Sequence, residues 1–198
     1  SNINTFAGTI TNLYGGGKKA DVGSSILTVD GGNYSTIFGG GDQGVTNGDI
    51  SNTIKNVDSL VTFYGGANKA NVNGNISTLI SNTSLTGDIF GGNNLAGLIS
   101  GNVTTTLDNV NAINVYGGGN EADNNSLIVL QSSNLTADTL YGGGKLAQVG
   151  AIEISLLNSN VDTLFGGGDQ GITNGNIYVL IEGSELVNVY GGANQANI

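Results

Sequence analysis

The chain has 198 residues, a net charge of −10, 35 glycines, and no His, Cys, Pro, Met or Trp; its five basic residues are all lysine. Without His, Cys or Arg it lacks a Ser-His-Asp or Cys-His nucleophile system, the usual zinc ligands, thiol redox chemistry and bidentate anion clamps. The acidic balance argues against nucleic acid, which needs a basic footprint, and against anionic membranes, and it favours solubility or attraction for cations.

Charged residues make up 10% and hydrophobic residues 38% of the chain, a poor match to disorder. No apolar run approaches the ~18 residues of a membrane span, so direct membrane insertion is not expected. In chain order, the first signal is Ile3, Thr5, Gly8, Ile10 and Leu13, which fit a repeat unit entered partway. The unit declares itself at Tyr14, an aromatic followed by two glycines. It recurs at Phe38, Tyr64, Phe90, Tyr116, Tyr141, Phe165 and Tyr190, at intervals of 24 to 26 residues.

Other positions keep the same phase. Six residues after each aromatic stands a small residue: Ala20, Gly44, Ala70, Ala96, Ala122, Ala147, Gly171 and Ala196. Two further on, Val22, Val72, Leu98, Val149 and Ile198 are apolar, whereas Thr46, Asn124 and Thr173 break the pattern. Ahead of the aromatics, Val103–Leu107 and Ile177–Ile181 alternate as strands do. Each unit is therefore read as three short strands separated by Gly, Asn or Ser. Nothing reads as a helix, because the apolar positions are β-branched and the intervals between turn residues are short.

One such unit cannot bury its own apolar face, but stacked units close a continuous core. The expected fold is all-β: a right-handed parallel β-helix, or β-solenoid, of about eight coils. A left-handed prism would need ~18 residues per coil and a six-residue beat that this chain lacks. Residues 1–198 form one segment, expected to be uncapped at both ends and part of a longer array. The core should include Leu27, Val29, Ile54, Leu107, Leu130, Leu156, Val179 and Ile181. Above the coil period lies a second one. Phe38–Gly48 recurs at Phe165–Gly175 and Tyr64–Val72 at Tyr190–Ile198, offsets of 127 and 126, so a five-coil block is duplicated.

The unit aromatic-Gly-Gly-Gly-x-x-Ala-x-Val, followed by Gly-Asn-Ile and an alternating stretch, resembles the Gly-rich "YGGG" β-solenoid repeats of large bacterial cell-surface and adhesin-like exoproteins. The resemblance covers essentially the whole chain; Ala67, Asn93 and Ala193 replace the third glycine. It implies an extracellular or cell-surface location and a stalk or adhesive role.

Several features are candidate sites. The eight aromatics, Tyr14, Phe38, Tyr64, Phe90, Tyr116, Tyr141, Phe165 and Tyr190, should form a ladder, either filling a corner of the core or offering rings to a host or matrix glycan. The paired glycines read as a sharp turn more than as a phosphate cradle, since the P-loop Lys-Ser/Thr is missing. Four residues past the aromatics, Lys18 should lie beside Asp42 and Lys145 beside Asp169 as exposed ion pairs. At the same position Asn68, Asn94 and Asn120 should form an amide ladder. Asp42, Asp49 and Asp169, in Gly/Asn turns, are weak calcium candidates, and no other cofactor is expected. No dense Asp/Glu cluster suits a polysaccharide hydrolase, and Lys55 is too isolated to suggest a lyase base. The single Thr104-Thr105-Thr106 run is too short for ice binding. The expected function is non-enzymatic: a rigid stalk or fibre segment, its partners being neighbouring repeats or other copies end to end. A glycan-binding module is the alternative, and a polysaccharide lyase or hydrolase comes third.

Overall fold

A computed structural model describes residues 1–197. It is an all-β parallel solenoid of eight coils, with no helix among the described residues. Ile198, placed inside by the repeat phase, lies outside the described residues. Each coil contributes one strand to each of two faces. The first face carries β1 (Asn2–Phe6), β3 (Ser25–Asp30), β5 (Ile50–Lys55), β7 (Ile76–Ser84), β11 (Ile152–Leu157) and β13 (Ile177–Glu182). The second carries β2 (Thr9–Tyr14), β4 (Asn33–Phe38), β6 (Ser59–Tyr64), β8 (Asp88–Phe90), β12 (Asn160–Phe165) and β14 (Glu185–Tyr190). In the fifth and sixth coils β9 (Val103–Tyr116) and β10 (Ile128–Tyr141) run through both faces and unite them in one sheet of 14 strands.

Every ladder pairing is parallel and joins a residue to its equivalent one coil away. This is why the aromatics recur in phase: a parallel stack in register puts like residues on top of one another. The residue before each aromatic points inward. Leu13, Ile37, Phe63, Ile89, Val115, Leu140 and Leu164 are all buried in the main core, as are Leu27, Val29, Ile54, Leu107, Leu130 and Leu156. Two expected core residues differ. Val179 is only half-buried and Ile181 is 37% exposed, because both stand on the last coil, where one side of the apolar row has no neighbour among the described residues.

The expected third strand is reduced to one bridging residue per coil. Val22, Thr46, Val72, Ile99, Asn124, Val149 and Thr173 pair in sequence as isolated parallel bridges. A Gly-rich turn precedes this point and a Gly/Asn turn follows it, so no ladder extends. The row also corrects the phase in the Phe90 coil: Ile99 occupies it at 1% exposure, and Leu98 is turned out at 45%. Gly97, with φ +95°, absorbs the extra residue, and a Cβ there would lie 2.1 Å from the Ala70 carbonyl oxygen.

The bend between the two faces is made by left-handed residues. Asn56, Asn82, Asn109, Asn134 and Asn158 have φ between 47° and 55°, and Ala7, Gly31 and Gly183 take the same role in the outer coils. Asparagine tolerates this conformation better than other residues with a Cβ. Its amide is also used along the axis: Asn109 Nδ2 donates to Asn82 Oδ1 at 2.9 Å, and Asn56 Nδ2 to Asp30 Oδ1 at 2.8 Å.

Candidate functional site: the aromatic stack and its polar flanks

Strand alternation turns Leu13 inward and Tyr14 to the opposite side, and the same holds in every coil. The eight rings therefore form a column of their own. Successive centroids from Tyr14 to Tyr190 lie 4.7–5.2 Å apart, and no two neighbouring planes differ by more than 12°. Phe90, Tyr116 and Tyr141 make a buried cluster separate from the main core, flanked by Tyr64 and Phe165. Phe38 is buried, Tyr14 half-buried, and Tyr190 51% exposed.

The glycines after each ring let the coils close up beside the column. A Cβ on Gly65 would sit 2.1 Å from the Gly91 carbonyl oxygen, and one on Gly91 2.2 Å from that of Gly117. The run is thus a requirement of close backbone approach. Burial lifts the phenol of Tyr64 to about 12, with Asp88 and then Glu121 adding to the effect. Tyr116 is also raised, first by burial and then by Asp88. Neutral phenols suit a stacked, half-dry column.

Two polar rows flank the rings. Four residues past the aromatics, Asn94 Nδ2 donates to Asn68 Oδ1 and Asn120 Nδ2 to Asn94 Oδ1, both at 2.9 Å, so the expected amide ladder is present. Two residues before them, Asn114 Nδ2 donates to Asp88 Oδ1 at 2.8 Å. The expected ion pairs are not formed. Asp42 accepts from Asn68 at 2.7 Å and Asp169 from Asn194 at 2.8 Å, amides one coil on that stand directly over each carboxylate. The one ion pair among the described residues instead joins Lys55, isolated in sequence, to Asp30 at 3.2 Å. Both side chains are substantially exposed, so solvent screens the pair and it adds little to stability. With the Asn56 amide as the larger influence, Lys55 holds the Asp30 carboxyl below its usual range.

The calcium candidates do not converge. Asp42 and Asp169 belong to the row just described, whereas Asp49 Oδ1 accepts from the backbone N–H of Asn75 at 2.7 Å on the entry to the first face. No group of three or more acidic side chains suited to a metal gathers among the described residues. The arrangement can order one coil on the next through rings, amides and carboxylates. The corner asparagines escaped sequence reasoning, although their constant place seven or eight residues before an aromatic is a usable signal. Comparison of the chain with protein-family models, curated proteins and solved structures finds no match.

Proposed function

We propose that this chain is a non-enzymatic, rigid stalk or fibre segment of an exported bacterial surface protein or appendage. The observation that carries the reading is axial continuity: the ring column passes through all eight coils without a break. At ~4.8 Å per coil the eight coils make a rod ~38 Å long. Bending it would separate rings, amides and backbone ladders together. The bacterial and extracellular parts of the reading rest on the Gly-rich repeat. Antibodies against the chain should label intact cells before permeabilisation; labelling only after permeabilisation overturns the location.

The partner is a further solenoid coil. The first coil presents Ile3 and Ile10, and the last presents Val179 and Leu186, at matching positions of the repeat. Matching rows of this kind suit stacking on a neighbouring repeat or on another copy end to end. The isolated chain should sediment as a concentration-dependent series, and Ile3→Lys should reduce it to monomer. A strictly monomeric chain at high concentration overturns end-to-end association. Glycan binding through ring faces is less well supported, since each inner ring has both faces against neighbours. A glycan array on the isolated chain separates the two readings.

A further inference from the structure

Between the bridging residue and the next strand of the first face, three coils carry an Asn-Gly pair: Asn47-Gly48, Asn73-Gly74 and Asn174-Gly175. All three asparagines are exposed. None of the three glycine N–H groups donates a backbone hydrogen bond among the described residues. A backbone nitrogen that is free of a partner, on a residue with no Cβ, stands next to an electrophile, the side-chain amide carbon of the preceding asparagine. The three asparagines differ in one respect. Asn47 Oδ1 accepts a hydrogen bond from Asn73 Nδ2 at 3.1 Å. Asn73 Oδ1 accepts no hydrogen bond among the described residues, although coils on both sides of it are described.

We infer that Asn47 is a site of spontaneous cyclisation and deamidation, and that the Asn73 amide, one coil on, accelerates it by polarising the Asn47 carbonyl. The Gly48 nitrogen loses its proton to solvent and forms a bond to Asn47 Cγ. The carbonyl electrons move onto Oδ1, where the Asn73 N–H stabilises the developing charge. As the carbonyl re-forms, the Cγ–Nδ2 bond breaks, and Nδ2 takes a proton from water and leaves as ammonia. Water then opens the cyclic imide at either carbonyl, giving aspartate or isoaspartate. The sum is one amide plus one water to one carboxylic acid plus one ammonia, with no other reactant. The isoaspartate product adds a methylene to the backbone between Thr46, held in its bridge row, and Ile50, the first residue of β5. Modification therefore loosens the entry to that strand and adds a negative charge beside Asp49.

Asn73 also precedes a glycine, has described coils on both sides and accepts nothing on its own Oδ1 among the described residues, so it is the internal control. The whole chain, aged at neutral pH and physiological temperature, is digested and its peptides resolved by mass spectrometry. Asn47 should convert about two- to tenfold faster than Asn73, the ratio expected for one neutral hydrogen bond. Asn73→Ala and Asn73→Asp both remove the donor, and each should slow Asn47 to the pace of Asn73 in the parent chain while the strand dichroism is unchanged. Equal rates at the two sites, no conversion at Asn47, or an Asn47 rate unaffected by both variants overturns the inference.

Discussion

Asn93 Oδ1 accepts the backbone N–H of Ala67, one coil below, at 2.7 Å. Its Nδ2 donates to the carbonyls of Ala70 and Gly97, each at 3.1 Å. Asn93 stands where most coils have the third glycine, it is fully buried, and its coil is the one with the extra residue at Gly97. The side chain thus supplies the hydrogen bonds that a lengthened turn would otherwise leave unmade. Asn93→Ala should cost about 2–3 kcal/mol, since buried backbone groups lose their partners. The shift in the denaturation midpoint measures it. A change within experimental error would mean that the turn holds itself.

The bridge row offers a change in the opposite direction. Thr46 and Thr173 are buried among Val22, Val72 and Val149, and neither hydroxyl has a hydrogen-bond partner among the described residues. Thr46→Val and Thr173→Val keep the shape and remove the orphaned hydroxyl. Each should stabilise by about 1 kcal/mol. The two sites stand five coils apart, so the gains should add. Thermal denaturation of the single and double variants tests both points.

Glycines that look alike in sequence should respond differently. Gly65→Ala would drive a methyl onto the Gly91 carbonyl oxygen, rigid backbone that cannot give. It should cost about 3 kcal/mol or more, at the upper end of overpacking effects. A Cβ on Gly23 meets nothing within 4 Å, and Gly23→Ala should be near neutral. Expression and melting of the two variants side by side check the contrast.

Alkaline pH should unfold the column. The Tyr64 phenol is raised from 10.0 to about 12 in the folded chain. A group whose folded pKa is raised contributes stability that is complete below its unfolded value and is lost as pH climbs to the folded one. Stability should therefore fall between about pH 10 and pH 12, and Tyr64→Phe should flatten that decline. Denaturation midpoints across this range, for both proteins, give the answer.

Much of this fold is legible because a parallel solenoid writes its own period. Each coil pairs with its equivalent, so Tyr14, Phe38 and Tyr64 announce both the coil length and the direction of stacking. The Asn68, Asn94 and Asn120 ladder follows from the same register. The ion pairs failed for a related reason. Sequence places Lys18 level with Asp42, but it does not show that the Asn68 amide on the other side lies within hydrogen-bond reach of the same carboxylate.

The amino-acid order alone determines the period, the parallel register and the inward position before each aromatic, because these depend only on spacing and side-chain character. Other features are set by contacts between coils. In the Phe90 coil either Leu98 or Ile99 satisfies the apolar pattern, and only Val72 below and Asn124 above admit Ile99 to the row. Likewise an asparagine's place in the chain does not reveal whether its amide meets a partner. Asn47 and Asn73 both precede a glycine and differ in what the adjoining coils bring to their side chains.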